Sequence, residues 1–129
     1  MTRITKTNRF AVKDIAEFDK LMAITCGDYL QWNHHENNEV SFSCDGVLYG
    51  IMEEDDDGFP EESVAEFISK LQKVIKPEAV VVIMESGFSP LDGIIAKATI
   101  VSSEAIEATT FQNLLMREIR EKHYKEVKL

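Results

Sequence analysis

Only two cysteines, Cys26 and Cys44, and three prolines occur in these 129 residues. So few thiols exclude a disulfide-built scaffold, since small secreted domains that depend on cross-links carry more of them. Each cysteine reads instead as a small buried hydrophobe near the end of a helix or strand. Long apolar runs are also missing. Met1-Thr2-Arg3-Ile4-Thr5-Lys6 is followed by nothing that resembles a signal peptide or a membrane span, so a cytoplasmic location is expected. The six glycines form no phosphate-binding loop, no dinucleotide-binding pattern and no nucleophile elbow. The expectation is a protein that is not an enzyme and holds no cofactor.

The most informative absence is of positive charge in the middle of the chain. Residues 21–69 contain no Lys or Arg but twelve acids. The remaining residues carry 14 basic and 11 acidic side chains, so the net charge of −9 arises wholly within the central stretch. An acidic balance of this kind argues against direct binding to nucleic acid, which calls for a basic patch. It argues equally against an anionic membrane surface.

What is present reads as a single domain over residues 1–129. The apolar content of 44% is ordinary for a globular chain. Residues 4 to 12 form an opening strand. Asp14 caps a helix with Glu17 in capping-box spacing, and Gly27 supplies its stop. Leu30, Trp32 and His34 alternate along a strand, and Asn37-Asn38 is a turn because Asn tolerates positive φ. Val40, Phe42 and Cys44 share one face of the next strand. Asp45-Gly46 is a hairpin dipeptide leading to a strand over 47–52. Pro60 starts a helix over 60–75, with Val64, Phe67, Ile68 and Leu71 inward. Residues 79–84 form a central strand covered on both faces, 87–93 a loop, and 94–101 a further strand. Residues 104–108 form a short edge strand. Thr109 with Gln112 caps a last helix that turns Phe111, Leu114, Leu115 and Ile119 inward. The order implies an α+β fold: a mostly antiparallel sheet with three helices packed on one face.

Two constellations invite a metal, and both fall short. From Glu53 through Gly58 the run resembles half of a calcium loop, with Asp55, Asp57 and Gly58 at the third, fifth and sixth positions. The twelfth position, where a bidentate Glu is required, is Val64. His34 and His35 are adjacent, and neighbouring residues on a strand point to opposite faces, so one zinc ion cannot readily take both. Neither the histidines nor the cysteines show a zinc spacing. No metal site is expected.

The acidic stretch itself is the candidate site. Glu39, Asp45, Glu53, Glu54, Asp55, Asp56, Asp57, Glu61 and Glu62 are candidate partner-binding residues. Their charge would match the Lys and Arg of a protein that grips closely spaced DNA phosphates, and complementary fields would speed association. The alternative is a small self-associating structural or regulatory module. It would pair as a homodimer through Phe88, Pro90 and Leu91, with the acids serving only solubility.

Two segments carry a likeness. Arg9-Phe10-Ala11-Val12-Lys13-Asp14, followed by Phe18, resembles the start of small acidic uncharacterised proteins of phages and other mobile elements. Val81-Val82-Ile83-Met84-Glu85-Ser86-Gly87, followed by the strand over 94–101, resembles their second half. The likeness spans about half the chain. Where those proteins continue with a charged, partly basic segment, this chain has Phe88-Ser89-Pro90-Leu91-Asp92. The resemblance implies a mobile-element setting, in which small acidic inhibitors of host nucleases are common. It carries over no functional residues.

Overall fold

Four phenylalanines from four elements hold the centre of the protein together. In the computed structural model, which describes residues 2–54, 57–58, 60–91 and 93–122, Phe18, Phe10, Phe42 and Phe67 form a continuous edge-to-face series. Their ring centroids lie 5.8, 6.3 and 5.6 Å apart. Such pairs add about 0.5–1.5 kcal/mol each beyond the area they bury. Around them Val12, Leu21, Met22, Val40, Leu71, Ile75, Val81 and Val101 are almost wholly buried.

The elements that bring these residues together run in the order β1 (Thr2–Thr7), β2 (Phe10–Ala11), α1 (Ile15–Ala23), β3 (Thr25–Gly27), β4 (Gln31–His34), β5 (Glu39–Cys44), β6 (Leu48–Glu54), β7 (Pro60–Ser63), α2 (Val64–Val74), β8 (Val81–Ser89), β9 (Gly93–Val101), β10 (Ile106–Thr110) and α3 (Phe111–Glu121). The fold is α+β, with three helices and antiparallel sheets. In the large sheet β10, β9, β8 and β1 lie side by side, and β5 pairs with β1, β2 and β4. A second, three-stranded sheet has the order β3-β6-β7.

The opening strand is interrupted where the sequence reading made it continuous. β1 pairs with β8 as far as Thr7 and Ile83. There Asn8 takes over with its side chain: its amide N–H donates to the Val80 carbonyl at 2.9 Å, and its Oδ1 accepts from the Val82 N–H at 2.8 Å. The amide thus meets the backbone groups that β1 leaves behind as β2 swings onto β5. The extra residue shifts the alternation, so Thr5 and Thr7 point into the core and so do Phe10 and Val12.

Asp14 caps α1 as its sequence position requires, accepting from the Ala16 N–H at 2.8 Å. The helix stops earlier than Gly27, however. Thr25 turns its hydroxyl back onto the Leu21 carbonyl at 2.7 Å and the chain enters β3. Gly27 is needed for close approach: a Cβ there would lie 2.8 Å from Cys44 Sγ.

Asp45-Gly46 is a turn, but not the turn of a β5–β6 hairpin. β4 occupies one edge of β5, and β1 with β2 the other, so β6 has no edge left to pair with. Asp28 redirects the chain. Its Oδ2 accepts from the Val47 N–H at 3.0 Å, and its own N–H donates to the Val47 carbonyl at 2.9 Å. β6 therefore joins β3 and β7.

The helix expected from Pro60 begins at Val64. Pro60 to Ser63 pairs with β6, and Ser63 is the cap, accepting from the Glu66 N–H at 3.1 Å. Phe67, Ile68 and Leu71 are buried as the stripe predicts, whereas Val64, in the first turn, is 40% exposed. β8 lies centrally between β1 and β9, yet only Val81 and Ile83 face the core; Val80 and Met84 on the other face are exposed. The strand also runs through Gly87 and Phe88, so the expected loop shrinks to the β8–β9 turn. Thr110, one residue later than read from the sequence, caps α3 by accepting from the Asn113 N–H. None of the residues of α3 is buried; the helix stands against β9 and β10, and among the described residues no second layer covers it.

Candidate protein-binding surface

β6 starts as a core strand and ends as an acidic one. Leu48 and Ile51 are buried, and Gly50 lets the chain pass under the start of α2 at a φ of 98°. Beyond Ile51 the strand leaves the core, and β7 runs back beside it. The register sets Met52 against Glu62, Glu53 against Glu61 and Glu54 against Pro60. Glu54, Asp57, Glu61 and Glu62 are exposed, and Gly58 turns the chain between the strands at a φ of 83°. Among the described residues, no ion pair reaches Glu54, Glu61 or Glu62; the pairs present use Glu17, Asp19, Glu66, Glu85 and Glu118. Asp55 and Asp56 lie outside the described residues.

A second acidic element borders this hairpin. Tyr49 on β6 donates its hydroxyl to Asp28 Oδ2 at 3.2 Å. That hydrogen bond and the Asp28 charge, with smaller help from burial and Glu62, push the Tyr49 hydroxyl above its usual pKa. Asp28 and Asp45 line an open cleft of about 390 Å³ with Arg3, Tyr29 and Tyr49. Asp45 is exposed just beyond the C-terminal end of β5. Asp45 thus lies in the cleft with Asp28, and the hairpin carries Glu54, Glu61 and Glu62; Tyr49 of β6 belongs to both the cleft and the strand that leads to the hairpin. Glu39 stands apart. It begins β5, half-buried, with its carbonyl accepting from the His35 N–H at 2.7 Å. Five strand steps, about 17 Å, separate it from Cys44 beside Asp45.

The histidines diverge as alternation requires. His34 Nε2 lies 2.7 Å from Asp19 Oδ1, on the same oxygen that accepts the Trp32 indole N–H at 3.1 Å. His35 Nε2 bonds the Ser41 hydroxyl at 2.8 Å on the opposite face. The Asp19–His34 pair was not legible from spacing, because it joins α1 to β4 across fifteen residues. Among the described residues no hydroxyl or thiol bonds His34, so the pair stands without a partnered nucleophile.

Cys26 and Cys44 are both free thiols, the first half-buried and the second buried. Burial, with Asp28 and Glu85 nearby, pushes the Cys44 thiol up to about 11. Among the described residues, no three His, Cys, Asp or Glu side chains converge as metal ligands. No helix of the described residues is long and apolar enough to cross a membrane.

Comparison of the chain with family models, with curated proteins and with solved structures finds no match.

Proposed function

We propose that this is a non-enzymatic binding protein whose β6–β7 hairpin engages a basic surface on a partner protein. The reading rests chiefly on one observation: the acids of the hairpin project from the core on a two-stranded arm, where no cation pairs with Glu54, Glu61 or Glu62 among the described residues. Solubility alone does not call for acids crowded on two adjacent strands, where like charges cost stability. A surface of closely spaced carboxylates is complementary to a Lys- and Arg-rich groove of the kind that holds DNA phosphates. The partner class is therefore a DNA-binding protein, and competition with DNA for that groove would inhibit it. The mobile-element likeness is consistent with a host nuclease or replication protein as the target. Capture of partners from a host lysate, with the parent chain and a Glu54→Gln, Glu61→Gln, Glu62→Gln variant, tests the reading. Loss of a DNA-binding partner in the variant supports it, and equal capture by both refutes it.

A further inference from the structure

The face of the large sheet that points away from the core has an entirely different character from the acidic hairpin. Strand alternation and the continuous registers of β1, β8, β9 and β10 identify its residues. Thr5, Ile83, Thr99 and Val101 point inward and are buried. Their neighbours on the outward side include Ile4, Met84, Phe88 and Ile94, exposed by 48, 42, 56 and 71%. Ala96 and Ala98 lie on the same outward face, opposite Ser86 and Met84 in the register. Beside them, Leu114 of α3 shares a groove with Met84, Ala96 and Ala98. Leu114 and Phe111 are themselves 43 and 50% exposed. The sheet face and the apolar flank of α3 thus form one uncovered surface.

We infer that this surface is where two copies of the chain pair. Its extent is suitable. At about 3.4 Å per residue, the nine-residue strands β8 and β9 run about 30 Å, and β1 and β10, of six and five residues, flank opposite ends of them over about 20 and about 17 Å, with strands about 4.8 Å apart. An eleven-residue helix adds a flank about 16 Å long. Together these approach the roughly 800 Å² of accessible surface per partner that a stable interface buries. Its charge is suitable too. A chain of net charge −9 repels its own copies over most orientations, so any self-contact must be nearly free of acid. Arg117 of α3 borders the surface, lining a groove with Ile100, Glu107 and Leu114. On the outward side of β1, β8, β9 and β10 only Lys6 and Glu107 are charged, by the register that sets Lys6 against Met84 and Glu107 against Ile100. These two are of opposite sign and stand on the two outermost of these strands. A two-fold axis along the strands exchanges β1 with β10 and turns the cationic side of one copy toward the anionic side of the other. Near absence of charge with many aliphatic side chains is the composition of a permanent homodimer rather than of a transient contact. Pairing here leaves both acidic hairpins free, so the dimer is bivalent toward the proposed basic partner.

Sedimentation equilibrium of the full chain over a range of micromolar concentrations tests this. The parent chain is expected at twice its monomer mass, in physiological and in molar salt alike, because apolar contact is not screened. Ile94→Glu and Phe88→Glu are expected at the monomer mass with an unchanged circular dichroism spectrum. Should either fail to fold, Ile94→Ser must raise the dissociation constant at least tenfold. The Glu54→Gln, Glu61→Gln, Glu62→Gln variant must remain dimeric, which separates this inference from the acidic-hairpin reading. A parent chain that is monomeric throughout overturns the inference, including one that is monomeric but floats with neutral phosphatidylcholine vesicles. So does a dimer that survives both Glu substitutions.

Discussion

Glu53 and Glu61 stand directly opposite one another in the register of β6 and β7. Glu61, exposed on β7, is followed by Glu62, and Glu54 is exposed at the end of β6, so carboxylates of one sign crowd this strand pair with no ion pair among the described residues. The hairpin is therefore held against its own charge by the core at its base, where Ile51 is buried and Ser63 caps α2.

Relieving that repulsion should stabilise the fold. Glu61→Gln removes one of these exposed charges without changing side-chain length. Urea denaturation should show a gain of a few tenths of a kcal/mol, up to about 0.5 kcal/mol at low salt, shrinking as salt screens the exposed charges. The same substitution should weaken partner capture, so that stability and binding move in opposite directions.

The base of the hairpin has a backbone requirement that no side chain can meet. Gly50 has a φ of 98°, and a Cβ added there would lie 2.2 Å from the Ser63 carbonyl oxygen. Gly50→Ala must therefore both adopt a disfavoured backbone conformation and push β7 from β6. A loss of at least about 2 kcal/mol is expected, combining strain of about 1–3 kcal/mol with the displaced contact. Thermal unfolding measures it. By contrast Gly58, with open space around its α-carbon, carries only the conformational part of this cost.

Cys44 gives the fold a dependence on alkaline pH. Its thiol is raised from 9.0 to about 11 in the folded protein. A raised pKa means that the neutral thiol is the form the native state prefers. The contribution is fully present below about pH 9 and is lost as pH rises through about 11, where the buried thiolate forms. Stability of the parent should thus fall over that window more steeply than that of Cys44→Ala, after allowance for the lower starting stability of the variant. At pH 8 Cys44 should also react with a thiol reagent far more slowly than the half-buried Cys26.

Residues whose signals were local were legible in the sequence. Asp14 capped a helix, Asn37 and Asn38 adopted left-handed φ values of 60° and 58°, and Val40, Phe42 and Cys44 turned to the core together. The acidic hairpin was legible as a charge run, but not as two paired strands. Pro60-Glu61-Glu62 has the composition of a helix start, and that obscured the true cap, Ser63 with Glu66 three residues on. Longer-range relationships left no mark. Asp28 diverts the chain after Gly46 because both edges of β5 are already filled, and a single strand's sequence does not reveal which edges its neighbours occupy. The same applies to α3. Its apolar stripe promised burial, whereas the uncovered sheet beside it leaves Phe111 and Leu114 half exposed.

The central claim is that the hairpin carboxylates engage a basic partner, and the salt dependence of capture tests it most directly. The parent chain and the Glu54→Gln, Glu61→Gln, Glu62→Gln variant, both immobilised, would be exposed to the same host lysate over a salt series. At low salt the parent should retain a DNA-binding protein that the variant does not. The difference should vanish as salt rises, since a Debye length of about 8 Å at physiological ionic strength contracts to about 3 Å at 1 M. Circular dichroism should show both chains folded, because exposed substitutions of this kind change stability by only about 0.5 kcal/mol. Equal retention of that partner by parent and variant at low salt would contradict the account.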